Sequence, residues 1–312
     1  MPTRRTRACP VFPAQSRRRA RRSHATALLG AALAALAAPS SARAAEAAAA
    51  LRPEAAERDE GRALPTEGAA VRAAVGTELF SAGVDLEIAG RTLSYTDLLS
   101  ENLRTYEVLG VPMPSLRAEL YPLARSALPV LRDLGIALSY ARAVGLDSAG
   151  AGGASVSTSF SRLHAGLKGR YRPAGQDGPV LFASGGLCWT DFDVAPTGDP
   201  SRDAAAVSYV ALRLGADGRL PVGPVALEAG AGYQAPLSMG ALASYFREPS
   251  AGGVDLRVAV AVPFAPGLEA RAGASYARFF YDFDAEPGDP YIAGGALDQL
   301  FGAHLGVAYY GY

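Results

Sequence analysis

The chain has 312 residues, and its 30 Lys and Arg are balanced by 30 Asp and Glu. Nine of the basic residues and none of the acids precede residue 45, so the remainder carries 21 against 30, a net charge of −9. That balance excludes the basic face a nucleic-acid partner needs, and no later stretch approaches the ~18 consecutive apolar residues of a membrane-spanning helix.

The first 44 residues read as a secretory signal peptide. Arg4, Arg5, Arg7, Arg17, Arg18, Arg19, Arg21 and Arg22 form a basic region, residues 25–38 a short Ala- and Leu-rich stretch, and Ala42-Arg43-Ala44 an A-x-A cleavage site. Cys9 leaves with that segment, so Cys188 has no intrachain partner for a disulfide. Residues 45–70 are rich in Ala, Glu and Arg without strand character, as expected of a flexible periplasmic leader. Residues 71–312 make one domain.

From there the chain repeats one pattern, a strand-length segment alternating apolar with small or charged residues, then a turn. Val254-Asp255-Leu256-Arg257-Val258-Ala259-Val260-Ala261-Val262 is the clearest example. Successive side chains of a strand point to opposite faces, so this segment has one greasy face and one wet or small one. Short and long connections alternate. Tight turns are expected at 122–129, 173–178, 216–223 and 263–267, and longer ones near 96–114, 146–156, 194–203, 240–253 and 282–296. That alternation predicts ten strands, near 72–95, 115–122, 131–145, 157–171, 179–193, 204–215, 224–239, 252–264, 267–283 and 298–312. The first carries a shift of apolar parity at Ala82-Gly83, as a bulge would cause. Eight or twelve strands fit the same pattern.

The fold class expected is all-β, a closed antiparallel up-and-down transmembrane barrel. Parity turns Arg117, Glu119, Arg162, His164, Lys168, Arg170, Arg213, Glu228, Asp255, Arg257, Glu269, Arg271 and His304 toward the lumen. These charges come in both signs, Arg117 with Glu119, Arg213 near Glu228, Asp255 with Arg257 and Glu269 with Arg271, and are expected to pair. With Tyr121 and Tyr209 they would plug a narrow lumen. Tyr140, Tyr233, Tyr276 and Phe280 toward the loop ends, with Tyr171 and Tyr309 toward the turn ends, read as two aromatic girdles. A soluble β-barrel or sandwich alternates too, but buries its apolar face.

No segment carries the spacing of a catalytic motif. Ser159 and Ser161 lie near His164, and Asp298 precedes His304, but Ser161 has the opposite parity to His164 and there is no G-x-S-x-G elbow. Acids gather at Asp191, Asp193, Asp199 and Asp203 and at Asp282, Asp284, Glu286 and Asp289, which lack the Gly and terminal Glu of an EF-hand. No cofactor is expected.

The closing segment Leu305-Gly306-Val307-Ala308-Tyr309-Tyr310-Gly311-Tyr312 carries an aromatic last residue on an alternating strand. Together with the pattern over residues 71–312, it resembles the small outer-membrane β-barrels of Gram-negative bacteria, the opacity-protein and porin-like superfamily. It is similar to the barrels of high-GC proteobacteria such as myxobacteria. In that family such a terminus, here Tyr310 and Tyr312, is the assembly signal, although Tyr312 is one step out of phase with Leu305, Val307 and Tyr309. The resemblance implies the cell outer membrane as location. The partners implied are outer-membrane lipid and lipopolysaccharide, the barrel-assembly machinery, and divalent cations at the acidic loops, with no nucleic acid. The function expected is non-enzymatic, a structural or interaction role or a narrow small-solute pore. The alternatives are an enzyme acting at the outer rim and a soluble periplasmic or secreted β-barrel that binds an apolar ligand.

Overall fold

The computed structural model describes residues 75–99, 103, 105–149, 155–175, 178–195, 206–240 and 242–312. The expected signal peptide and leader lie outside these residues.

Eleven strands are described: β1 (Phe80–Thr96), β2 (Tyr106–Leu120), β3 (Leu134–Arg142), β4 (Asp147–Ala149), β5 (Ser155–Tyr171), β6 (Val180–Val194), β7 (Val207–Val222), β8 (Val225–Ser238), β9 (Ser250–Ala265), β10 (Leu268–Asp282) and β11 (Gly295–Gly311). Each pairs antiparallel with its sequence neighbours, except that β3 pairs with β5 and β11 returns to β1. Those two pairings close a ten-stranded barrel. The three-residue β4 stands outside the ring and pairs with β5. Closure leaves no long open edge, as a barrel with a greasy exterior requires. Two short helices, α1 (Pro129–Arg132) and α2 (Leu242–Tyr245), sit in connections at opposite ends.

The tight hairpins follow from turn chemistry. Gly223 (φ 58°) precedes Pro224, and Gly267 (φ 70°) follows Pro266. A positive φ is costly for any residue with a Cβ, and Pro presets its own φ, so each pair reverses the chain in two residues.

Three strand boundaries depart from the sequence pattern. β1 runs in unbroken register with β11 from Phe80 to Thr96, so no bulge falls at Ala82-Gly83; the irregularity lies at Ala89/Arg91, opposite β2. β2 begins at Tyr106 rather than near residue 115, through Pro112 and Pro114. The β2–β3 pairing starts only at Ser115, so the missing Pro N–H groups break no rung of that ladder. β7 continues through Asp217-Gly218, which looked like a turn, because Asp217 points inward to Arg257.

Outside, each strand shows aliphatic side chains over about ten residues. On β9 these are Phe264, Val262, Val260, Val258, Leu256 and Val254, all exposed. At a rise of ~3.3 Å per residue and a tilt near 40°, that run covers a band roughly 25 Å tall.

Candidate functional site

The interior has three levels. The lowest, at the turn end, is an ion-pair network. Arg219 donates to Glu228 at 2.5 Å and to Glu269 at 2.6 Å, Arg271 reaches Glu228, and the Tyr310 hydroxyl donates to Glu269. Lys168 Nζ donates to Glu119 at 2.5 Å and lies 4.1 Å over the Phe182 ring. Arg170 donates to Asp133 at 3.0 Å and covers the buried Tyr121 ring at 3.9 Å.

The middle level surrounds a cavity of about 260 Å³. Arg213 holds Asp255 in a two-bond fork at 2.9 and 2.7 Å. Arg117 pairs with Asp85 at 2.8 Å, Arg257 with Asp217 at 2.5 Å, and Arg162 with Glu87. His164 and His304 both line the cavity, and the Nε2 atom of each is buried without a protein partner. Glycines make room for these charges. A Cβ on Gly302 would collide with the Glu87 carboxylate, and one on Gly232 would lie 2.6 Å from Asp255 Oδ2.

The expected pairs, three of them within one strand and Arg213 with Glu228 between β7 and β8, are therefore mostly replaced. Arg117 bonds Asp85 rather than Glu119, Arg213 bonds Asp255 rather than Glu228, and Asp255 and Arg257 take different partners. Only Arg271 and Glu269 keep a long contact, at 3.9 Å. Residues i and i+2 on one face stand further apart than direct neighbours on adjacent strands, so cross-strand and cross-lumen partners win.

The upper level is apolar. Leu93, Met113, Phe160, Phe192, Phe279 and Leu300 are buried in one cluster with Tyr209 and Tyr281. Tyr209 stacks on Phe279 at 4.3 Å, and Phe192 packs against Phe160 at 5.5 Å. Within this cluster Arg91 and Asp298, both 0% exposed, form a fork at 2.9 and 3.1 Å. The Tyr209 hydroxyl also donates to Asp298 at 2.5 Å, and the Arg91 guanidinium lies 4.4 Å over Phe192. The connections then cap the mouth. Leu242 of α2 and the following Phe246 fold inward, Phe246 stacks on Phe283 at 3.9 Å, and Tyr291 joins them. The inward aromatics of this level were missed in the sequence, Tyr209 apart. They share parity with the charges further down each strand.

Both faces change character along the same strands. On β5 the inner series passes from Arg162 to Phe160 as the outer passes from Leu163 to Ser161. On β6 Thr190 gives way to Phe192 inside, and Trp189 to Asp191 outside. The crossover recurs on β7 from Arg213 through Ala211 to Tyr209, with Val210 to Ser208 outside. On β10 it runs from Ser275 through Ala277 to Phe279, with Tyr276 to Arg278 outside. On β11 Gly302 gives way to Leu300, with Phe301 to Gln299 outside.

Of the aromatic positions, Tyr140, Tyr233 and Tyr276 stand outside at the top of the aliphatic band, and Tyr171 and Tyr309 outside at its base. Phe280 lies beyond Arg278, over the backbone of Gly252. Tyr310 points inward to Glu269, and Tyr312 is exposed.

His304 and Asp298 share β11, but Asp298 is taken by Arg91, and Ser159 and Ser161 lie on the opposite face of β5 from His164. In the second acidic segment Glu286 pairs with Arg247, and Asp289 accepts from the Glu286 backbone N–H at 2.8 Å. Among the described residues no three His, Cys, Asp or Glu are grouped to hold a metal ion. Asp199 and Asp203 fall outside those residues.

No family model matches the chain, and no curated protein does. Solved structures do, and those named here are outer-membrane β-barrels. The outer membrane protease OmpT of Escherichia coli matches with a TM-score of 0.44 at 10% identity, over 74% of this chain and 96% of its own. The translocator domain of the autotransporter NalP of Neisseria meningitidis matches at 0.37 and 16%, over 75% and 88%. Neisserial surface protein A matches at 0.32 and 12%, over 74% and 96%. Such values concern the course of the chain alone, and the three proteins are a protease, a translocator domain and a surface protein. Kinship with myxobacterial barrels is not shown by these matches.

Proposed function

We propose that this chain is an integral outer-membrane β-barrel with a non-enzymatic, structural or interaction role, and that its interior conducts no solute. One observation carries the reading: the double change of polarity along β5, β6, β7, β10 and β11. Where the outside is aliphatic the inside carries charged, polar or small side chains, and level with Ser161, Asp191, Ser208, Arg278 and Gln299 on the outside the inside becomes apolar, with Phe160, Phe192, Tyr209, Phe279 and Leu300. A barrel in water alone has no reason to reverse its faces partway along a strand, because its interior is the dry side throughout. A barrel that leaves a bilayer partway along its strands must reverse them, since its exterior passes from acyl chains to water.

The closed interior favours the structural role over the pore. Ion pairs line the turn-end half around a cavity of about 130 Å³, and the aromatic cluster fills the loop-end half, beneath Leu242, Phe246 and Phe283. An enzyme at the outer rim would need its acid or nucleophile open to the outside. His164 and His304 instead line the middle cavity, below the aromatic level. An apolar ligand inside a soluble barrel fares no better, since the apolar part of the interior is packed with its own side chains.

Two measurements test the proposal. Membrane fractions run on a gel with and without boiling should give a compact band that shifts only on boiling. Reconstitution into planar bilayers should leave conductance at background at every salt concentration. Stepwise openings would refute the closed interior, and recovery of the protein in the soluble periplasmic fraction would refute the membrane reading. Replacing His164 and His304 by Ala should leave outer-membrane lipid and protease profiles unchanged.

A further inference from the structure

Two turn-end connections are two residues long, but the one between β2 and β3 spans residues 121–133 and is built differently. Its exposed side chains include Leu123, Leu128, Val130 and Leu131, with Val130 80% and Leu128 58% exposed. Turns that face water ordinarily present polar groups. These aliphatics instead continue the outer band, since Leu120 before them and Leu134 and Ile136 after them are exposed as well. The ionisable groups divide by sign. Asp133 accepts from Arg170 at 3.0 Å and Arg172 at 3.4 Å, while Arg125 and Arg132 are exposed, Arg132 with a 3.3 Å contact to Asp133. No exposed acid lies in the segment. The connection is also fastened to the barrel. The Tyr121 N–H donates to the Leu79 carbonyl at 2.7 Å, and its ring is buried under Arg170. Exposed aliphatics beside arginines, at the margin of an apolar band, have the composition of a membrane-surface anchor. The carbon chains enter the acyl region and the guanidinium groups reach lipid phosphates.

We infer that residues 121–133 dock on the lipid leaflet at the turn end, with Leu128, Val130 and Leu131 among the acyl chains and Arg125 and Arg132 at anionic headgroups. This rests on the membrane reading above. The test uses the full chain with Cys9→Ser and Cys188→Ser and one new cysteine, Val130→Cys, carrying an environment-sensitive fluorophore. It is reconstituted in vesicles of phosphatidylcholine and phosphatidylglycerol, with folding checked by heat-dependent gel mobility. Val258→Cys on the outer wall and Asp284→Cys at the loop end serve as references. The label at 130 should be quenched by lipid-borne nitroxides, most by shallow ones, and be several-fold less sensitive to iodide than the label at 284. Iodide quenching at 130 with lipid quenching at 258 overturns the inference and leaves the barrel reading standing. Iodide quenching at both positions overturns the barrel reading as well. Protection from iodide without lipid quenching is the pattern of a protein contact and also overturns the anchor. Adding Arg125→Ser and Arg132→Ser should raise iodide quenching at 130 several-fold in the mixed vesicles, and no change would remove the headgroup contacts.

Discussion

Arg91 and Asp298 are the most exacting residues in the chain. Both are buried in an aromatic cluster, where either charge alone would be strongly disfavoured. Asp298→Ala is expected to destabilise the barrel by about 3–5 kcal/mol, the range for breaking one half of a buried pair. Urea unfolding of the reconstituted protein would measure the loss, and Arg91→Leu combined with Asp298→Leu should recover much of it. An unchanged midpoint in the single variant would show that water reaches the pair. Gly302 offers a steric counterpart. Gly302→Val would force the Glu87 carboxylate off Arg162, with an overpacking cost of about 1–3 kcal/mol. Gly218→Ala, whose Cβ would meet Leu181 at an ordinary 3.6 Å, should be near neutral by the same assay. Alternation groups the charges on one face, because the side-chain period of a strand is two. The partners of these charges were not legible, because Asp85, Glu87 and Asp217 lie in other strands, far along the chain from Arg117, Arg162 and Arg257, and Arg219 falls where a turn was expected.

At the scale of elements, β5, β9 and β10 could be read from their alternation, whereas β2 could not be placed. Gly110, Pro112 and Pro114 have the composition of a loop. Pro112 and Pro114 remain in a strand because the pairing with β1 holds them while the β2–β3 ladder begins only at Ser115, and Gly110 (φ 75°) sits in the irregularity opposite Ala89/Arg91. Alternation also says which residues share a face without saying what solvent that face meets. The aromatic level stayed hidden for that reason, since Phe160 follows the same parity as Arg162 and His164. The outer faces now yield a prediction that depends on depth. Val258 stands near the middle of the aliphatic run of β9, and Val258→Arg should cost about 2–4 kcal/mol in a bilayer, against about 0–1 kcal/mol near an interface. Ser94→Arg, on the outer face of β1 beyond the aliphatic run, should fall at the low end. Equal costs at both sites, measured by unfolding from vesicles, would place the two positions in one solvent.

For the whole molecule, ten strands enclose an interior that the described residues obstruct at two levels, by ion pairs below and by aromatic packing above. Neither closure needs a moving part, so the protein is expected to present surfaces rather than a passage. The surfaces are its loops, its apolar outer wall and the aliphatic connection between β2 and β3. What decides this picture is where the outer wall leaves lipid. Spin labels placed singly at the outward positions of β10, namely 268, 270, 272, 274, 276, 278, 280 and 282, would report it through collision with oxygen and with a water-soluble nickel chelate. Oxygen should dominate through position 276 and nickel from 278 onward, matching the change from Tyr276 to Arg278. Nickel access that is uniform along the strand would contradict the account, because it would mean that the whole wall faces water.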